Sequence, residues 1–165
     1  MLNDDVQTSI SESVLCWLAT SSADGQPNVS PKEVFAPLGD DAIIIANIAS
    51  PRSARNLREN PRACVSFINI FTQKGFQVAG RADILQPTDP DCDPGYDPDR
   101  DHVYEIAETM LLKMTQGDYP FRTIFRIAAE RVSPIIAPRY KLFPATTEQD
   151  QIESAMRTYG VRPAG

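Results

Sequence analysis

Hydrophobic positions along the chain follow two different periods, and the strand period dominates. Six stretches carry β-branched or aromatic residues in continuous or alternating apolar runs, which is typical of strands. These predicted strands are 14–20, 28–35, 42–48, 63–71, 76–84 and 121–136. Pro31 interrupts the second stretch and indicates an edge strand or a bulge, and Gly80 breaks the fifth at a predicted bulge.

Helical spacing of apolar residues marks the remaining ordered segments. The predicted helices are 3–13, 51–60, 102–114 and 146–158. Thr147 stands where it can cap the last of them, and Tyr159 and Gly160 would end it. Between helices and strands, residues 87–101 are rich in aspartate and proline and are predicted to form an acidic surface loop.

The connections between the predicted strands are short. Asp24-Gly25 is a strong hairpin turn, and Gly39-Asp40-Asp41 turns the chain again. Sequential strands joined in this way are antiparallel, which excludes a doubly wound parallel sheet. The pattern therefore predicts a mainly β domain over residues 1–165, a six-stranded antiparallel barrel, closed or partly closed, with flanking helices.

Composition narrows the function classes. The net charge of −6 opposes nonspecific nucleic-acid binding, which depends on neutralising phosphates. No apolar run approaches the length of a membrane span, and the first residues carry no signal-peptide pattern, so we expect a soluble, cytoplasmic protein. Cys16 and Cys64 lie in apolar runs and are predicted core residues, whereas Cys92 is a predicted exposed thiol.

The segment after the third predicted strand is suited to an anion. Ser50 is a favoured N-cap residue, and the free amides of a helix start attract phosphate. Arg52 adds a planar donor fork, Ser53 adds a hydroxyl, and Arg55 lies one turn along. Walker and dinucleotide glycine patterns are absent, so a mononucleotide phosphate is the natural size class. An ordinary capped surface helix is the alternative for this segment alone.

Other chemistries find little support in the sequence. His102 is the only histidine, and no Gly-x-Ser-x-Gly elbow is present. Asp89, Asp91 and Asp93 resemble the first half of a calcium loop, but Arg100 occupies the position of the bidentate glutamate. We therefore predict no metal site, and no residue is identified as a catalytic acid or base.

Several short motifs, taken in order, resemble the pyridoxamine 5′-phosphate oxidase-like, FMN-binding split-barrel family. They are Leu18-Ala19-Thr20, the string from Asp24 to Pro31, strand 43–48, Ser50-x-Arg52 with Asn56-Leu57 and Asn60-Pro61-Arg62, and the string from Phe71 to Phe76 followed by Gly80-x-Ala82. No single motif is very specific, whereas their order and spacing are. The resemblance implies a split barrel that forms a homodimer, with FMN in a groove between the two barrels.

The resemblance also implies where the cofactor lies. Arg52 matches a phosphate-binding arginine of the family, and Ser53 stands where many members carry lysine. Ser30 falls where the better-studied oxidases place another arginine, so Lys32, Arg55 or Lys74 are candidates to supply the missing charge. Strand residues 30–34 match the segment that runs along the flavin ring. The predicted cofactor-binding set is Ser30, Lys32, Glu33, Val34, Ile48, Ser50, Arg52, Ser53, Arg55, Gln73 and Lys74.

The function implied by the resemblance is a flavin-dependent redox reaction on a small organic substrate. Oxidation of pyridoxamine phosphate itself is not expected, because residues 119–165 lack the arginine–histidine region that such oxidases use. Two alternatives remain open: a protein that stores or carries flavin without turnover, and the same fold binding haem or a deazaflavin.

Overall fold

The computed structural model describes residues 1–88, 93 and 96–163, and a seven-stranded antiparallel sheet forms its centre. The strands are β1 (Cys16–Ser21), β2 (Pro27–Lys32), β3 (Phe35–Leu38), β4 (Ala42–Ala46), β5 (Arg62–Asn69), β6 (Lys74–Leu85) and β7 (Ile124–Ile136). Their order across the sheet is β2-β1-β5-β6-β7-β4-β3. The curled sheet forms a half-barrel with helices on its flanks, which confirms the predicted mainly β split-barrel class.

Five helices in the described residues accompany the sheet. They are α1 (Asp4–Glu12), α2 (Pro51–Glu59), α3 (Pro98–Thr115), α4 (Pro138–Leu142) and α5 (Glu148–Tyr159). Helix α2 contacts β1, β2 and β6, while α3 contacts β3 and β4 and the ends of β6 and β7. Helix α5 begins with a capping box between Thr147 and Asp150, as the predicted cap at Thr147 requires.

The strand count is seven rather than six because the predicted strand 28–35 breaks. Its first half is β2, which pairs only with β1, and the chain then bends at Glu33 and Val34 into β3, which pairs only with β4. This two-residue corner joins the two opposite edges of the sheet. Pro31 therefore lies on an edge strand, where its missing N–H removes no ladder hydrogen bond.

The predicted bulge at Gly80 is present. The pairing of β6 with β7 shifts register between Ala79 and Gly80. A Cβ atom at Gly80 would lie 1.8 Å from the carbonyl oxygen of Ala128, so only glycine allows this close approach of the two backbones.

The hydrophobic core has two parts, one on each side of β4. The five residues of β4 are all buried; Ile43 and Ile45 contribute to the first part, and Ile44 and Ala46 to the second. The first part includes Leu18, Phe67 and Phe125 beneath α1 and α2, and the second includes Leu111 beneath α3. Cys16 is fully buried and Cys64 is half-buried, while Cys92 lies outside the described residues.

The predicted acidic loop 87–101 is shorter than expected, because helix α3 already begins at Pro98. Asp97 caps this helix by accepting hydrogen bonds from the amides of Asp99 and Arg100. Aspartate is a strong helix-capping residue, so the same composition that suggested a loop also starts a helix. The predictions for Asp89 and Asp91 lie outside the described residues.

Among the described residues, no group of three or more histidine, cysteine, aspartate or glutamate side chains could hold a metal ion. Within the same residues, no helix is both long and apolar enough to cross a membrane.

Candidate functional site

The start of helix α2 has an unusual arrangement. Ala49 adopts a left-handed backbone conformation with φ of 50°, and Ser50 follows at the N-cap position. The hydroxyl of Ser50 makes no capping hydrogen bond, which corrects the expectation that it would cap the helix. It is hydrogen-bonded instead to Lys32 and lies 3.4 Å from the hydroxyl of Ser30. The backbone N–H groups in the first turn of α2 therefore have no hydrogen-bond acceptor within the helix.

Lys32 is the buried cation of this site. The residue is 6% exposed, and its Nζ donates a hydrogen bond to the Oγ of Ser50. Among the described residues, no carboxylate forms an ion pair with it. Burial lowers the pKa of Lys32 below its ordinary value, because desolvation disfavours the charged form. A buried ammonium without a carboxylate partner is costly, and an anion bound beside it would relieve that cost.

Cys16 does not act as the counterion of Lys32. The two residues are paired across the ladder of β1 and β2. Burial raises the pKa of Cys16 to about 12, although the neighbouring Lys32 partly opposes this shift. The thiol therefore stays neutral at physiological pH, and the positive charge of Lys32 is left for an external group.

A polar network fixes α2 against the inner face of β1 and β2. The side-chain amide of Asn28 lies 3.2 Å from both Thr20 Oγ1 and Ser53 Oγ. The amide of Asn56 donates to the same Thr20 oxygen at 3.0 Å. Ser53 is thus buried, with its hydroxyl turned toward Asn28, and it offers a ligand its first-turn amide more readily than its hydroxyl.

Arg52 and Arg55 remain on the surface of α2. Both side chains belong to exposed residues, and the described residues provide neither of them with a hydrogen bond or an ion pair. Arg52 stands in the first turn beside the uncapped amides, where a guanidinium adds to the positive field of the helix start.

A pocket of about 170 Å³ adjoins Lys32 at the corner between β2 and β3. Its apolar floor consists of the buried or half-buried residues Val34, Ala46 and Ile48, whereas the lining residues Glu33 and Tyr119 are exposed. The lining residues are Pro31, Lys32, Glu33, Val34, Ala46, Ile48 and Tyr119. This volume is below the roughly 300–1,000 Å³ of usual small-molecule pockets. One chain by itself therefore encloses only part of a ligand the size of a nucleotide.

Sequence reasoning missed Tyr119 as a pocket residue. It lies in the connection between α3 and β7, and it lines the same pocket as Lys32 and Ile48 because the fold brings that connection to the corner of the sheet. The available signal was an isolated aromatic residue within the otherwise polar turn 116–120.

Gln73 and Lys74 lie apart from the other predicted residues. Gln73 adopts a left-handed conformation in the turn between β5 and β6. The Nζ atom of Lys74 lies 2.6 Å from Glu148 and 4.7 Å from the ring centre of Tyr140. The hydrogen bond with Glu148 is the main reason that the pKa of Lys74 is raised. Within one chain, nothing among the described contacts links this pair to the cluster of Lys32 and Ser50.

The comparisons with known proteins agree with this architecture. Residues 2–135 match the sequence profile of the pyridoxamine 5′-phosphate oxidase family. The match covers most of the chain, and the protein belongs to that family. A search of curated protein sequences gave no significant match.

Solved structures show the same fold at low sequence identity. HupZ from Group A Streptococcus is 22% identical, with a TM-score of 0.63 over 83% of this chain and 99% of that one. An FMN-binding protein from Syntrophomonas wolfei is 18% identical, with a TM-score of 0.58 over 82% and 87%. The haem storage protein HutZ from Vibrio cholerae is 19% identical, with a TM-score of 0.54 over 82% and 94%. These similarities establish the shared split barrel, and the ligands they name belong to those proteins.

Proposed function

We propose that this protein binds FMN noncovalently and uses it in a redox reaction on a small organic substrate. The observation that carries the proposal is Lys32, a buried ammonium without a carboxylate partner among the described residues, placed at the uncapped start of α2. A terminal phosphate satisfies both features, because it supplies negative charge and several acceptor oxygens.

The donor set fits the phosphate end of FMN. The amides of Arg52 and Ser53 would donate to its oxygens, and the hydroxyls of Ser30 and Ser50 stand beside Lys32. The exposed guanidinium of Arg52 would close over the phosphate from the solvent side. Positive potential would thus come from Lys32, from Arg52 and from the start of the helix. These three would take the place of the larger number of arginines and lysines that the family resemblance implied.

The pocket beside Lys32 fits an end of the flavin ring system. Val34, Ala46 and Ile48 form an apolar floor, which excludes water from one face of a planar ring. When bound, the flavin would supply electron and hydride exchange through its ring, while the protein contributes binding and orientation. The roles of Arg55, Gln73 and Lys74 in cofactor binding stay predictions, because no described contact within one chain joins them to Lys32 or Ser50.

A homodimer is part of the proposal. The pocket of one chain is too small and open for FMN, so a second copy would supply the missing wall. The outer face of β1 and β2 also exposes large apolar side chains, with Trp17 45% and Val29 59% exposed. Adjacent exposed apolar groups of this kind favour association.

Flavin fits the pocket better than haem does. Among the side chains that serve as axial haem ligands, the pocket lining contains only tyrosine. His102 is the fifth residue of α3, its side chain is 72% exposed, and its Nδ1 lies 3.9 Å from a carboxylate oxygen of Glu105. Storage or transport of flavin without turnover uses the same site, and only a turnover measurement distinguishes it from catalysis.

The absorption spectrum of the purified protein tests the proposed cofactor directly. Flavin bands, or their appearance on titration of the cofactor-free protein with FMN, are the expected result, and a Soret band or a failure to bind FMN would overturn it. Anaerobic addition of a nicotinamide donor should then bleach the flavin, and an added quinone should restore it. A bound flavin that no donor reduces would assign the protein to storage or transport.

A further inference from the structure

We infer that Tyr119 positions the flavin ring by packing its phenol ring against it, as the aromatic wall of the pocket. This inference rests on the proposed function, since it assigns a role within the same site. Tyr119 would contact the ring half of the ligand, whereas Lys32 and the start of α2 would bind its phosphate half.

The first support is the composition of the pocket. Its floor is made of the aliphatic residues Val34, Ala46 and Ile48, and Tyr119 is its only aromatic side chain. A heteroaromatic ring on that floor would have one face against aliphatic groups and would meet a π system only at Tyr119. Offset stacking of aromatic rings contributes more than apolar burial alone.

The second support is the way the connection between α3 and β7 is held. Gln116 and Gly117 both have positive φ, of 52° and 84°, and the amide of Asp118 donates to the carbonyl of Thr115 at 2.9 Å. At the other end, the backbone amide of Asn47 donates to the Thr123 carbonyl at 3.0 Å. Tyr119 is therefore presented from a turn that is fixed on both sides.

The third support is that the side chain of Tyr119 has no structural task in the described part of the chain. It is 55% exposed, and no hydrogen bond to its hydroxyl is found among the described residues. A tyrosine that only stabilised the fold would be more buried or would have a partner for its hydroxyl. The ring rather than the hydroxyl is thus the functional part.

The test compares Tyr119→Ala with Tyr119→Phe and Tyr119→Leu, using FMN and riboflavin as probes. Tyr159→Ala is the matched control. Tyr159 is also 55% exposed, but its ring packs against Phe71 and does not line the pocket. Flavin fluorescence measures both the affinity and the quenching that a stacked aromatic ring causes.

We expect Tyr119→Ala to weaken FMN and riboflavin binding by the same factor, about fivefold to a hundredfold, and to reduce the quenching of bound flavin. Tyr119→Phe should behave as wild type, and Tyr119→Leu should keep part of the affinity but lose quenching. Wild-type binding of FMN with unchanged affinity and quenching in Tyr119→Ala would overturn the role of Tyr119 and leave the proposed cofactor intact. If wild type bound no flavin, both proposals would fall. Circular dichroism of each variant checks that the fold is retained.

Discussion

Replacing Lys32 by methionine should change ligand binding and stability in opposite directions. Methionine keeps the length and apolar stem of lysine but removes the ammonium. If that ammonium binds the phosphate, Lys32→Met loses a charge-assisted hydrogen bond of about 1.5–3 kcal/mol. FMN affinity should then fall by about tenfold to a hundredfold. Riboflavin, which lacks the phosphate, should bind as it does to wild type.

The ligand-free variant should be more stable than ligand-free wild type. Lys32 is 6% exposed and has only a hydroxyl as its hydrogen-bond partner, so folding buries a cation with little compensation. The pKa of Lys32 is lowered in the folded state from its ordinary 10.5. At pH values between the lowered pKa and 10.5, Lys32 is protonated more fully in the unfolded chain than in the folded one. Lys32 therefore makes the free energy of unfolding of wild type rise with pH in this interval. The advantage of the variant should be greatest at lower pH and should shrink as pH rises through this interval.

Urea denaturation of both proteins without ligand, at about pH 7 and about pH 9.5, measures this difference. Lys141→Met is the control, because Lys141 is exposed on α4 and lies outside the proposed site, so its removal should leave FMN affinity unchanged. Equal loss of FMN and riboflavin affinity in Lys32→Met would show that the lysine acts on the ring or the fold. Unchanged FMN affinity would refute the phosphate site.

Three further outcomes are expected. Arg52→Ala should weaken FMN binding by about 1–3 kcal/mol in fluorescence titrations. Arg58→Ala, at the other end of the same helix, should leave FMN affinity unchanged. Equal effects of the two substitutions would contradict a direct contact between Arg52 and the phosphate. Dilution that separates the proposed dimer should release FMN in parallel, and light scattering that finds a monomer with full cofactor would contradict the shared site. Gly80→Ala should lower the free energy of unfolding by about 2 kcal/mol or more, because its Cβ would lie 1.8 Å from the Ala128 oxygen; a thermal midpoint equal to that of wild type would contradict the tight crossing.

The fold was largely predictable because its signals are local. The glycine at position 80 marks a bulge, Pro31 marks an edge, and Thr147 starts a helix, each through its own backbone chemistry. The break of one predicted strand at Glu33 was not predictable, because only pairing with β1 on one side and β4 on the other separates the two halves.

The anion site at the start of α2 stays a prediction, and the hydrogen bonds of its side chains were not predictable from the sequence. Helix capping pointed to Ser50, but the direction of its hydroxyl depends on Lys32, which is distant in sequence and approaches only when β2 and α2 pack together. Tyr119 illustrates the same limit, since its connection reaches the pocket through the docking of α3 on β3 and β4. Gln73 and Lys74 matched a sequence motif, but the contacts of Lys74 in one chain are with α4 and α5.

The corner at Glu33 and Val34 has a consequence for how ligand size can change among related chains. This two-residue connection joins β2 and β3, the two edge strands of the sheet, and it also forms one side of the pocket. The carbonyl of Val34 accepts a hydrogen bond from the amide of Ala46 in β4, whereas Glu33 has no place in either strand pair. An extra residue inserted before Val34 would therefore lengthen the connection without altering the register of any strand pair. Length variation at this one point offers a route to a wider or narrower cleft while the rest of the scaffold stays the same.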